Sequence, residues 1–144
     1  MRITLDTNVL LRAHRNASGP PHRILQEILH RPHELILSQT MLYELEEVFA
    51  YPHIKKLTKL SSAEIADYLD ELARFAILVD IGRPQPFGIR DVDDWTVVRT
   101  AISGRASVLC SGDRHLRHWS LTPIYEQYNI EVLDEIELLT RMLG

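Results

Sequence analysis

The sequence predicts an α/β fold: a single three-layer α/β/α domain over residues 1–144, with a central parallel sheet of about five strands. Short segments that are apolar throughout recur along the chain, which is typical of strands covered on both faces. Helical patterns with one apolar stripe separate these segments. The length of 144 residues and the hydrophobic share of 45% suit one compact core.

The first half of the chain predicts two strands and four helical segments. Strands are expected at residues 2–5 and 35–38. A helix follows Pro20, a second begins after Ser38 or Thr40, and a third follows Pro52. The fourth opens at Ser61, because Ser61 and Glu64 have the spacing of a capping box. Apolar residues at helical spacing fall in the first, second and fourth of these: Ile24, Leu25, Ile28, Leu29; Leu42, Leu45, Val48, Phe49; Ile65, Leu69, Leu72 and Ala76.

The second half predicts three more strands. A strand at residues 76–81 precedes a helix that starts among the acids of 91–94 and ends at Gly104. A fourth strand spans residues 107–111. The remaining predicted elements are a short helix around 116–119, a strand at 130–133 and a terminal helix.

Composition excludes several classes of protein. The only cysteine, Cys110, excludes a disulfide framework and a cysteine-based zinc site, so a reducing cytoplasm is expected. No apolar run is long enough for a membrane span. The net charge of −4 disfavours a broadly basic nucleic-acid binder, although Lys55, Lys56 and Lys59 form one locally basic stretch and Arg99, Arg105, Arg114 and Arg117 another.

Four carboxylates are predicted to converge on one end of the sheet. Asp6 directly follows the first strand and Asp113 the fourth, after a glycine that permits a tight turn. Asp94 begins the helix that leaves the third strand, and Glu44 lies in the first turns of the helix after the second. Taken singly, each has an ordinary structural explanation as a cap, a turn residue or a solvated helix face.

Clustered carboxylates repel one another unless a cation compensates them. Oxygen donors without an accompanying His or Cys pattern favour Mg²⁺ or Mn²⁺. Such ions promote phosphodiester hydrolysis, so the sequence predicts metal-dependent phosphoryl chemistry. Two alternatives stay open: a degenerate module that binds RNA or a partner without cutting, and a Mg²⁺-dependent aspartyl phosphatase. The phosphatase needs an acid where Asn8 stands.

Four segments together resemble the PIN-domain family, specifically its toxin components of toxin–antitoxin systems. They are LDTNVLL at 5–11, LSQTMLYELEEVF at 37–49, RDVDDWTVVRTA at 90–101 and VLCSGDRHL at 108–116. The resemblance implies a Mg²⁺- or Mn²⁺-dependent endoribonuclease that cuts single-stranded RNA. It also implies a small antitoxin that covers the site, and a homodimer.

Matched position by position, the resemblance makes Asp6, Glu44, Asp94 and Asp113 the catalytic and metal-binding acids. Asn8 and Ser111 match small polar positions that orient ligands or water. Where similar proteins read RDPDD, this chain reads RDVDDW, which leaves Asp93 open as the third acid; Asp94 is preferred because Val97, Val98 and Ala101 then follow at the family's offsets. Independently, residues next to two of the motifs are candidate RNA contacts: Arg12, Arg114, His115 and Arg117.

Overall fold

A computed structural model describes residues 1–14, 16–30, 32–82 and 92–144, with side chains in the last range from residue 95 onward. Its five strands form one parallel sheet in the order β3-β2-β1-β4-β5. The fold class is therefore confirmed, and β1 lies beside β4. The strands are β1 (Arg2–Leu5), β2 (Glu34–Ser38), β3 (Ile77–Val79), β4 (Val108–Cys110) and β5 (Glu131–Leu133).

Helices flank this sheet on the α/β/α plan. Within the described ranges, none is both long and apolar enough to cross a bilayer. A 3₁₀ turn at Trp119–Leu121 precedes α7. The α-helices are α1 (Thr7–Arg12), α2 (Pro20–His30), α3 (Gln39–Phe49), α4 (Pro52–Thr58), α5 (Ser62–Phe75), α6 (Val92–Ser103), α7 (Thr122–Gln127) and α8 (Glu135–Leu143).

Three local predictions were wrong. Helix α1 was not predicted, because six residues are too few to show a helical period. Helix α7 was missed for the same reason. The short helix expected around 116–119 is instead a turn followed by the 3₁₀ segment, with Leu116 fully buried beneath it.

Side-chain caps set where several helices begin. The Ser38 hydroxyl accepts the amide of Met41, so Ser38 rather than Thr40 starts α3. The predicted capping box of Ser61 and Glu64 is present at α5. An equivalent box at Asp134 opens α8.

Helix α6 ends at Ser103, directly before Gly104 as predicted, but Gly104 does not end it by the expected conformation. The left-handed residue is Arg105, with φ of 53°, and not Gly104. The amides of Arg105 and Ala106 donate to the carbonyls of Ile102 and Ala101, which is the paired bonding of a Schellman motif. Gly104 is needed for packing, because a Cβ there would lie 2.1 Å from the Ile36 Cγ2 atom.

The core is continuous through the central strands. The apolar side chains of β1 and β4 are almost fully buried, and so are those of β2. Cys110 belongs to this core, and burial raises the pKa of its thiol to about 12, which keeps it inert.

Candidate active site

Two of the predicted acids meet beyond the carboxyl ends of the two central strands. Asp6 directly follows β1, and Asp113 follows β4 after Ser111 and Gly112. Both carboxylates line one pocket of about 480 Å³, together with Glu44. The other residues lining this pocket, called here the acidic pocket, are Thr7, Asn8, Leu11, Arg12, Val48 and Gly112.

One hydroxyl links the two aspartates. Ser111 Oγ donates to Asp6 Oδ2 at 2.7 Å and accepts the Asp113 amide at 3.0 Å. Asp113 Oδ1 in turn accepts the amide of His115 at 2.8 Å, which fixes the turn that follows. Asp6 is the N-cap residue of α1; its carboxylate makes no regular capping hydrogen bond, but the backbone amides of Thr7 and Asn8 stabilise its charge. Ser111 is fully buried; it orients the Asp6 carboxylate and holds the backbone of Asp113.

Asp6 is a buried acid whose hydrogen bonds offset only part of the cost of burying its charge. Only 8% of the residue is exposed. Burial raises the pKa of its carboxyl, and the neighbouring Asp113 carboxylate adds to this, against the lowering effect of the Ser111 hydroxyl. A cation in the acidic pocket would relieve both costs.

Glu44 reaches the pocket from a third element. Helix α3 starts at the carboxyl end of β2, where the Ser38 hydroxyl caps it. Thr100 of α6 donates to the same Ser38 oxygen at 2.8 Å, and both side chains are buried. This contact links α3, the helix that carries Glu44, to α6, and the Ser38 cap links the same helix to the end of β2.

Asp93 and Asp94 fall in the first turn of α6, as predicted, but their side chains lie outside the described residues. Topology still places this turn, because α6 carries the chain from the carboxyl end of β3 back to the amino end of β4. Among the side chains that are described, no three acids, histidines or cysteines stand close enough together to form a ready-made metal cluster.

The donor set nevertheless fits a hard divalent cation. Asp6, Glu44 and Asp113 offer only carboxylate oxygens, which Mg²⁺ and Mn²⁺ prefer. Thr7 Oγ1 is buried in the wall of the same pocket and has no hydrogen-bond partner among the described residues. An orphaned hydroxyl beside three carboxylates is suited to the water that a hydrated cation carries.

Of the four candidate RNA contacts, two are engaged in ion pairs and two are exposed on a turn. Arg12 lines the acidic pocket, where Glu135 holds its guanidinium through two hydrogen bonds. Arg117 is engaged with Asp134 and Glu137 at the start of α8. Arg114 and His115 are exposed on the turn after Asp113 and are not in the wall of the pocket. Sequence reasoning missed Glu135, which carries no motif of its own.

The structure also places Gly112, Asn8 and the two tryptophans. Gly112 does not have a positive φ, and a Cβ there would meet no atom within 4 Å, so the turn before Asp113 does not require glycine. Asn8 lies on α1 in the pocket wall, as its match to a ligand-orienting position implies. Among the aromatic residues, Trp95 is buried in the core, whereas Trp119 is 78% exposed.

The PIN domain family model matches residues 2–115, a span that contains all four predicted acids. The chain belongs to the PIN-domain family. PIN domains are generally nucleases and typically use divalent metals, so this PIN domain has a nuclease fold. No match to it is found among curated proteins.

Proposed function

We propose that this PIN domain, residues 1–144, is a Mg²⁺- or Mn²⁺-dependent endoribonuclease. The observation that carries the proposal is the acidic pocket, where Asp6 and Asp113 share the Ser111 hydroxyl and Glu44 joins them from α3. Membership of a nuclease family supports it independently. A binding module without activity would have no use for a buried carboxylate that costs stability.

Asp6, Asp94 and Asp113 would hold the ion, with Glu44 completing the set. When bound, the ion would supply positive charge to the phosphodiester and acidify a water for attack. The chain's own residues prepare the site for this. Ser111 fixes the orientation of the Asp6 carboxylate, and the His115 amide fixes that of Asp113.

The remaining residues of the pocket position the substrate. Arg12 stands in the pocket wall with its guanidinium held by Glu135, where it contacts a backbone phosphate. Asn8 is placed on the same wall to bind a water or a phosphate oxygen. Leu11 and Val48 exclude bulk water from one side, which strengthens every charge interaction in the pocket.

The biological role that we propose is that of the toxin in a toxin–antitoxin pair, in the cytoplasm and as a homodimer. Support comes from the resemblance of its four motifs to those toxins. An antitoxin would inhibit by placing a basic side chain among the acids of the pocket. Growth arrest on expression, relieved by co-expression of the neighbouring small reading frame, is the expected outcome; arrest by the Asp6→Asn variant would contradict a nuclease origin of toxicity.

The activity test uses purified protein, Mg²⁺ and labelled single-stranded RNA. Asp6→Asn and Asp113→Asn are each expected to lower the cleavage rate at least about 100-fold, because each removes a charge that the reaction depends on. Asp70→Asn is the matched control, an exposed acid on α5 outside the acidic pocket. Chelation with EDTA should abolish cleavage, and cleavage that survives both aspartate variants would overturn the proposal.

The third acid can be assigned by the same assay. Asp94→Asn should lose activity as Asp6→Asn does, whereas Asp93→Asn should retain most of it. The reverse result would assign Asp93 to the site. Wild-type activity in both variants would exclude α6 from the site.

A further inference from the structure

A second groove adjoins the acidic pocket. It has a volume of about 680 Å³ and lies between the connection from α1 to α2 and helix α4. Leu11 and Arg12 line both cavities, so the two adjoin at these residues of α1. A strand of substrate that passes through the acidic pocket therefore meets this groove, called here the α1–α4 groove, on one side.

The walls of the α1–α4 groove are mixed in character. Pro20, Pro21, Ile54 and Leu57 supply apolar surface, and the Leu57 side chain is 76% exposed at its rim. Asn16, Ser18 and Thr58 supply polar groups. A rigid apolar wall with a few polar groups suits a planar heterocycle with hydrogen-bonding edges.

The charges of the groove favour an anionic ligand. Lys59 and Arg12 are its cations and Glu135 is its anion among the described residues, which leaves one positive charge in excess. The pair with Glu135 uses two of the five N–H donors of Arg12, so three can serve a ligand. The acidic pocket on the other side of Arg12 carries three carboxylates, so only the groove attracts phosphate without a metal ion.

His14 forms part of the wall in a neutral state. Burial lowers the pKa of its imidazole, and His22 contributes further. Its Nδ1 atom accepts the amide of Asn16 at 3.2 Å, so the neutral ring carries its proton on Nε2. His14 therefore adds no positive charge to the wall of the groove.

We propose that the α1–α4 groove binds the nucleotide of single-stranded RNA next to the scissile phosphodiester. The phosphate of this nucleotide lies between Arg12 and Lys59, and its base lies against the apolar wall around Pro20 and Leu57. This inference rests on the proposed function, because it takes the acidic pocket as the place where the backbone is cut.

The test measures binding without cleavage, by fluorescence anisotropy of a labelled single-stranded RNA in EDTA. Lys59→Gln is expected to raise Kd about fivefold and to reduce the slope of log K against log salt by about 0.7, as loss of one phosphate contact requires. Lys56→Gln is the matched control, since Lys56 is an exposed lysine of α4 that does not line the groove. Its Kd and salt slope should stay at the wild-type values.

The base contact has its own variant. Leu57→Ser removes exposed apolar surface at the rim, so the fold should be unaffected and Kd should rise with no change in salt slope. Leu143→Ser, at an exposed position on α8, is its control. Thermal unfolding midpoints within each pair should agree, which excludes misfolding as the cause.

The outcomes separate the two proposals. Equal Kd values for Lys59→Gln and Lys56→Gln overturn the proposal that the α1–α4 groove binds a nucleotide, whether or not the wild type cuts RNA. Wild-type binding that depends on Lys59 without any cleavage in Mg²⁺ or Mn²⁺ supports the groove as an RNA-binding site and overturns the nuclease proposal. Where cleavage occurs, Lys59→Gln should raise KM and leave kcat unchanged.

Discussion

The two ends of the central strands differ in how their polar and charged groups are paired. At the amino end, Arg2 donates to the carbonyl of Gly104 through Nε at 3.1 Å and Nη2 at 2.6 Å, and it pairs with Glu34. Ser107 Oγ donates to the Arg2 carbonyl. Every one of these polar groups finds a complement of opposite character, as is usual in a structural region.

At the carboxyl end of the same strands, like charges are brought together. Asp6 and Asp113 share one hydroxyl, Glu44 faces the same pocket, and Thr7 keeps an unsatisfied oxygen. Arg12, a cation in the wall of the same pocket, is engaged with Glu135. The fold therefore gains stability at one end of the sheet and gives some of it up at the other, where the acidic pocket lies.

The largest effect is expected from a pair of glycines on either side of β4. Gly104→Ala should lower the free energy of unfolding by about 2–3 kcal/mol, because the new Cβ would meet the buried Ile36 side chain. Gly112→Ala should change it by less than about 0.5 kcal/mol, since the space there is open. Urea unfolding measures both, and equal losses would show that the two ends are packed alike.

The two serines that flank β4 come next. Ser111→Ala should lower RNA cleavage about 10–100-fold, because it frees the carboxylate of Asp6 and the amide of Asp113. Ser107→Ala should leave the cleavage rate unchanged, as its hydroxyl contacts only the Arg2 carbonyl. Steady-state kinetics decide the point, and a comparable loss in Ser107→Ala would remove the distinction.

Substitutions of the charged residues at the two ends of β1 should change the free energy of unfolding in opposite directions. Arg2→Gln should cost about 1 kcal/mol, because the Gly104 carbonyl loses a charged donor. Asp6→Asn should add about 1 kcal/mol in the absence of divalent ions, because it removes a buried charge beside Asp113 while an amide oxygen still accepts from Ser111. Unfolding in EDTA measures both, and a destabilised Asp6→Asn would refute the reading of this end as strained.

The smallest effect concerns the end of α6. Arg105→Gly should add about 0.5 kcal/mol, because glycine adopts the left-handed conformation without the cost that arginine bears. Asn129, also left-handed with φ of 55°, offers the control, since asparagine tolerates this region and Asn129→Gly should gain less. A loss in Arg105→Gly would mean that the arginine side chain stabilises the amino end.

Much of this contrast follows from the sequence, because its signals are local. Apolar runs of three to five residues located the strands, and the parallel arrangement then required Asp6 and Asp113 to emerge at one end. The capping box at Ser61 was equally local. Each depends on residues within a few positions of one another.

What the sequence did not show depends on distant contacts. Arg12 and Glu135 are 123 positions apart, so no spacing rule connects them. Gly104 was predicted as the glycine that ends α6, whereas the close approach of Ile36 from β2 is what requires a glycine at this position. Helix α1 is held against α2 and α3 by packing and is too short for its pattern to be recognised.

The hydrogen bond between Ser111 and Asp6 also limits how early the acidic pocket can form during synthesis. The two residues are 105 positions apart, and β1 has β4 as its neighbour in the finished sheet. At about 5–20 residues per second, a ribosome needs about 5–20 s to reach the second residue after making the first. Throughout that interval the nascent chain carries one half of its pocket beside the RNA that encodes it. The acidic pocket is thus incomplete until its second half has been synthesised.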